Sequence, residues 1–277
     1  MIYGANGALY AAMGSLATDV EDPGHAGLYK RVDDGSGWKK LVELPNPITA
    51  GGSTKTQFGQ SIDMVSSSDG YFIIVGDSVA NSSAGQATVF HTNEEKVLHT
   101  TTVTASDNPG GIEFGRQVAI AYDGVRYWFA CGAPEDHRFD ANGYAVYLYN
   151  SSSQYGFSIE PGVTASQQPY QSVLPFTYWT GNGNLADISM THGSVPNSDS
   201  LYGSSSYIYV LATNNASTFG TASLYATTGG VGTYPYGSDL RVRQAFLTAS
   251  DGTGTGRLFG RSCDLLSASD GLYTAVG

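Results

Sequence analysis

A hairpin recurs along this chain, and that recurrence restricts the possible folds more than any other feature. Its clearest copy is Met64-Val-Ser-Ser-Ser-Asp-Gly-Tyr-Phe-Ile-Ile-Val-Gly76, with Phe58-Gly59 upstream. A second copy runs from Phe114-Gly115 through Asp123-Gly124 to Trp128 and Pro134, and a third from Phe259-Gly260 through Asp270-Gly271 to Gly277. The N-terminal stretch Met1 to Gly14, with Asn6-Gly7 at its turn, aligns with them without a gap. Each copy reads as a short apolar strand, an Asp-Gly or Asn-Gly turn, and a second apolar strand ending in glycine. Those dipeptides suit the positive-φ positions of a type I′ hairpin turn. Self-similarity of this kind marks a repeat architecture.

Two more strands follow each hairpin. The third opens on glycine and carries aromatics, as in Gly27 to Val32, Gly85 to Phe90, Gly143 to Tyr149 and Gly220 to Tyr225. The fourth is read at Trp38 to Leu44, Val97 to Val103, Phe157 to Val163 and Leu240 to Leu247, ending in a Thr-Ala phrase. No amphipathic helix period appears. Second strands such as Tyr71 to Val75, Trp128 to Cys131 and Tyr207 to Leu211 are apolar on both faces, as strands between stacked sheets must be. The chain therefore reads as an all-β protein, a β-propeller of four-stranded antiparallel blades. It forms a single propeller segment over 1–277, with units at about 1–57, 58–113, 114–183, 184–258 and a partial 259–277. The unit from Asn184 is degenerate, with its first turn enlarged between His192 and Ser205. Because Met1 to Gly14 and Asp264 to Gly277 are the same element, neither end complements the other. Both ends are expected to lie within a blade of a larger ring.

Composition excludes several functions. The 277 residues carry a formal charge of -11 and only 13 Lys plus Arg, too few for the phosphate contacts that nucleic-acid binding needs. No run approaches the ~20 apolar residues of a membrane-spanning helix. Sparse lysine with abundant Ser, Thr and Tyr fits an extracellular or particle-surface protein. Cys131 and Cys263 fall at different strand positions of non-adjacent units and read as two small buried hydrophobes, not a disulfide.

The phrase Phe-Gly, then strand, turn, and Val-Gly or Gly-Ala-Pro, then Gly-x-x-Val-Tyr, resembles the FG-GAP repeat of integrin-α-type β-propellers. Gly132-Ala133-Pro134 matches the Gly-Ala-Pro element, while Gly76-Asp77 and Gly14-Ser15 match only its glycine. The resemblance implies a seven-bladed ring and a role in adhesion. It also implies calcium in the first hairpin turn, but each turn here retains a single acid or amide, so those calcium sites are not carried over. No metal or other cofactor is expected.

Catalytic signatures are missing: no Gly-x-Ser-x-Gly, no dinucleotide or phosphate loop, no His-Glu-x-x-His. Glu135-Asp136-His137 reads as a solvated loop, and Gly252 to Gly256 as a linker. N-glycosylation sequons start at Asn81, Asn150 and Asn215, the first and last on one propeller face and Asn150 on the other. Tyr170, Phe176, Tyr178 and Trp179 lie in an aromatic stretch expected to be a loop that binds protein or glycan partners. The function expected from sequence is a non-catalytic surface or adhesion module. One alternative is a virion or filament subunit whose blades are completed by copies of itself. The other is a carbohydrate-active enzyme on a propeller, for which two or more carboxylates must converge at the central channel.

Overall fold

A computed structural model describes residues 1–4, 6–15, 24–32, 37–48, 56–105, 111–124, 127–135, 144–150, 172–175, 185–193, 207–214, 220–228, 242–248, 259–268 and 271–277. They form five antiparallel sheets, four with four strands each and one with two. The first holds β1 (Ile2–Tyr3), β2 (Leu9–Ser15), β3 (His25–Val32) and β4 (Gly37–Leu44). The second holds β5 (Ile62–Ser67), β6 (Gly70–Asp77), β7 (Gln86–Thr92) and β8 (Val97–Val103). The third holds β9 (Val118–Tyr122), β10 (Tyr127–Ala133), β11 (Ala145–Asn150) and β12 (Ser172–Pro175). The fourth holds β13 (Leu185–Gly193), β14 (Tyr207–Asn214), β15 (Thr221–Thr228) and β16 (Val242–Thr248), and the fifth holds β17 (Cys263–Ala268) and β18 (Gly271–Val276). Strands follow one another in chain order within every sheet, which is the meander of a propeller blade.

The apolar cores lie between blades. On β6, Tyr71, Ile73 and Val75 face the first blade while Phe72 and Ile74 face the third. β10 divides in the same way, with Phe129 and Cys131 on one side and Trp128 and Ala130 on the other. A second strand with two buried faces needs a continuous apolar run, which is why alternation is missing there. Phe58 and Phe114 are fully buried and anchor each blade beneath the one before it.

The recurring glycines mark the junctions between blades. A Cβ on Gly14 would overlap the Gly59 carbonyl, and one on Gly76 would overlap the Gly115 carbonyl. Gly24, Gly85 and Gly220 meet the carbonyls of Phe58, Phe114 and Phe259 in the same way. The glycine of each Phe-Gly pair has positive φ, 90° at Gly59 and 83° at both Gly115 and Gly260. The phrase that recurs in the sequence is thus the close approach of one blade's backbone to the next.

Two local expectations are corrected. Three of the hairpin turns are not type I′: Gly7, Gly70 and Gly124 have positive φ, but Asn6, Asp69 and Asp123 do not, while Asp270 of the other lies outside the described residues. A turn closed by a glycine bulge needs only that single left-handed residue. In the third blade the fourth strand is β12, inside the aromatic stretch expected to be a loop; Phe157 to Val163 lies outside the described residues. No helix among the described residues is long and apolar enough to cross a membrane.

Candidate functional site

The first strand of each blade is innermost, with β5, β9, β13 and β17 side by side around the axis. An innermost strand has one edge without a sheet partner, and its N–H groups need acceptors. Side chains from the preceding blade supply them. Ile120 N–H on β9 donates to Asp63 Oδ2 at 2.9 Å. On β17, Cys263 N–H donates to Asp187 Oδ2 at 2.9 Å, and Leu265 N–H donates to Ser189 Oγ at 3.1 Å. Each aspartate also accepts the N–H of the residue after it, Met64 at 2.8 Å and Ile188 at 2.9 Å.

Sheet register places these groups on two rungs of the channel. Asp63, Ala119, Ser189 and Asp264 share one rung, paired with Ile74, Ala130, Leu211 and Ala275 on their second strands. On the next rung, Ser61 and Gln117 accept the N–H of the glycines near the ends of those strands, Gly76 at 2.9 Å and Gly132 at 2.8 Å. Asp187 stands two residues before Ser189 on β13. Asp264 Oδ1 accepts the Leu265 N–H at 2.8 Å and the Ser189 hydroxyl at 3.2 Å, which ties the fourth blade to the fifth on that rung.

A cavity of about 570 Å³ lies between these strands, within the range of small-ligand sites. Asp63, Gln117, Asp187, Ser189, Cys263 and Asp264 are among the residues that line it. So is Arg116, whose guanidinium is held by the Glu113 carboxylate. Burial pushes the Asp63 carboxyl up to about 6, outweighing the Ile120 and Met64 N–H donors, and the negative charge of Asp264 adds to the rise. Asp187 is raised by the same causes: burial first, opposed by the N–H groups of Cys263 and Ile188, and reinforced by Asp264. Asp63 and Asp187, from two different blades, therefore both feel the charge of Asp264 from a third blade on the same cavity. Among the described residues no group of three or more His, Cys, Asp or Glu side chains could hold a metal ion.

Both cysteines are free thiols, Cys131 buried and Cys263 partly exposed on the cavity wall. Burial raises the Cys131 thiol, and burial followed by the charge of Asp187 pushes Cys263 up to about 12. An aromatic disulfide reagent at pH 8 is expected to label Cys263 roughly a hundredfold or more slower than free cysteine. Both thiols should react at the ordinary rate once the chain is unfolded in guanidinium.

Of the residues singled out in the sequence, those that are described lie elsewhere. Asn81 is exposed in the connection between β6 and β7, where its Nδ2 donates to Gln86 Oε1 at 3.4 Å. Asn150 ends β11 opposite Trp128. Asn215, Tyr170, Phe176, Tyr178 and Trp179 lie outside the described residues, as do Asp136 and His137. The channel acids carry a repeat signal that the sequence reading missed. Asp63 and Asp264 each stand five residues after the phenylalanine of a Phe-Gly pair, Phe58 and Phe259.

Comparison with known proteins gives no family. No protein-family model matches the chain, and no curated protein matches it. Solved structures similar to it include an α-L-arabinanase from Penicillium chrysogenum complexed with arabinobiose. That match has 15% identity and a TM-score of 0.47, covering 98% of this chain and 71% of that one. Another is an α-L-arabinofuranosidase from Fusarium graminearum in complex with an iminosugar inhibitor, at 13% identity and a TM-score of 0.45, covering 91% and 76%. The resemblance to FG-GAP repeats of integrin-α type is corrected: no family model matches the chain. The expectation of a non-catalytic adhesion module is corrected with it. The physical reason is the channel itself, where carboxylates converge although no linear spacing in the sequence announces them.

Proposed function

We propose that the chain is a carbohydrate-active enzyme that cleaves glycosidic bonds in its central channel. The observation that carries this reading is the convergence of Asp63, Asp187 and Asp264 on one polar cavity. Glycoside hydrolysis needs two carboxyl groups flanking the scissile bond, one to protonate the leaving oxygen and one to activate water or attack the sugar. Asp63, with its carboxyl near pKa 6, is suited to hold and donate a proton at mildly acidic pH. Asp264, exposed on the fifth blade and oriented by Leu265 and Ser189, is the second carboxylate. Asp187 fixes β17 through the Cys263 N–H and adds negative charge to the wall.

Capping strand edges does not by itself account for these acids. Ser189 caps the Leu265 N–H from the rung that Asp63 occupies, so a hydroxyl suffices for that task. An acid raised from 3.8 to about 6 costs more. The folded state then holds the proton more tightly than the unfolded chain, and stability falls as pH rises from about 4 to about 6. The loss reaches roughly 3 kcal/mol at most. Costly perturbed acids in a cavity mark functional sites.

A secreted or surface location, where structural glycans are met, belongs to the same proposal. The test is release of reducing ends from arabinan, xylan, galactan and mixed-linkage glucan between pH 4 and 9. The reading expects hydrolysis of at least one glycan, with kcat/KM falling tenfold per pH unit above an apparent pKa of about 6. Absence of hydrolysis across the panel, or a rate independent of pH between 5 and 8, would overturn it.

A further inference from the structure

Among the described residues, those other than glycine with left-handed backbone are Asn81, Ser82, Ser83 and Glu113, with φ of 53°, 61°, 65° and 54°. They belong to two segments from different blades that touch. Asn81 to Ser83 lie in the connection between β6 and β7, and Glu113 precedes β9. Glu113 N–H donates to the Ser83 carbonyl at 3.0 Å, and Phe114 N–H donates to the Ala84 carbonyl at 3.2 Å. Left-handed backbone is costly for such residues, and strain of this kind gathers at ligand clamps and active sites. These two segments hold Arg116 in place. The Glu113 carbonyl accepts the Arg116 backbone N–H at 3.2 Å, and the Glu113 carboxylate holds the guanidinium. A partly exposed ion pair adds little to stability, so bracing the fold does not account for the strain.

Arg116 lines the same cavity as Asp63 and Asp264, and its side chain remains 37% exposed, within reach of a ligand. Among the described residues, Nη1 is its one side-chain nitrogen with a partner. The guanidinium is a rigid fork of five N–H donors, so a neighbouring pair is left for a ligand. Gln60 follows Phe58 as Arg116 follows Phe114 and also lines the cavity, but its Oε1 already accepts the Ser78 hydroxyl at 2.6 Å. Arg116 stands four residues before Ile120, whose N–H meets Asp63. At about 3.3 Å per residue the two points are up to about 13 Å apart along the channel, wider than one sugar ring.

We infer that Arg116 is a substrate-binding residue that grips a sugar unit flanking the cleaved bond through two neighbouring hydroxyl oxygens, with Glu113 as its positioning residue. The inference rests on the reading of the channel as a glycan-cleaving centre. The unit it takes is uncharged. Glu113 already balances the guanidinium, and Asp187 and Asp264 make the wall beyond it negative, so a uronate would be repelled.

The experiment measures kcat, KM and melting temperature for the wild-type chain, Arg116→Gln and Arg116→Lys. The substrates are oligosaccharides of increasing length from whichever of arabinan, xylan, galactan or glucan is cleaved, with polygalacturonate as the charged counterpart. Arg116→Gln is expected to raise KM roughly 5- to 20-fold on the long oligosaccharides while kcat stays within about twofold. On the shortest one that wild type cleaves, KM should not change. Arg116→Lys keeps the charge and loses the fork, and should show most of the same rise. Both variants should melt near wild type. A KM unchanged at every length, a rise equal at all lengths, or wild-type KM in Arg116→Lys would overturn the role of Arg116 alone. Polygalacturonate cleaved as well as the neutral glycans would overturn it too. If wild type cleaves none of these glycans, the reading of the channel falls and the Arg116 subsite falls with it.

Discussion

Asp264→Asn is expected to lower kcat on a natural glycan by about 100- to 10,000-fold while leaving the melting temperature near that of wild type. The asparagine carbonyl can still accept from the Leu265 N–H and the Ser189 hydroxyl, and the side chain is exposed, so the fold has little to lose. Asp63→Asn should cause a loss of similar size on the same glycan by removing the proton donor. The two variants should part on an aryl glycoside with a good leaving group, which departs without protonation. There Asp63→Asn should recover most of its activity and Asp264→Asn should not. Steady-state rates on both substrates, read beside thermal melts, check this. Full activity in Asp264→Asn would remove that carboxylate from the reaction.

The largest expected effect on stability lies at a glycine. In Gly76→Ala the new methyl would overlap both the Gly115 carbonyl of the next blade and the Ser61 hydroxyl. Neither side can yield easily. Gly76 N–H donates to the Ser61 carbonyl at 2.9 Å, and Gly76 accepts the Gly59 N–H at 3.2 Å. Overpacking against fixed backbone costs about 3 kcal/mol or more, which lowers the melting temperature of a chain this size by roughly 6–12 °C. Gly7→Ala is the control: its φ of 76° is left-handed, but nothing lies within 4 Å of the added methyl. It should cost only about 1–2 kcal/mol. Equal melting temperatures for the two variants would show that the blade junction is looser than its geometry implies.

The fold was legible because its signals are local. An Asp-Gly turn, a doubly apolar second strand and a Phe-Gly phrase can each be read within a dozen residues, and a blade is assembled from them in chain order. The wrong turn type came from giving the residue before glycine the positive φ that Gly70 and Gly7 carry by themselves. The candidate site was not legible, because Asp63, Asp187 and Asp264 come from different blades and meet only at the axis. Its one sequence trace, an acid at the same offset from Phe58 and from Phe259, is broken at Ala119 and shifted at Asp187. The conspicuous aromatics and sequons drew attention to the surface, whereas Asp63, Asp187 and Cys263, all raised by burial, line the channel.

The most direct test is a crystal structure of Asp264→Asn soaked with an oligosaccharide of the glycan that the wild type cleaves. The account expects the sugar chain in the cavity between Asp63 and residue 264. A sugar bound at the outer blade edges, with the channel empty, would contradict it.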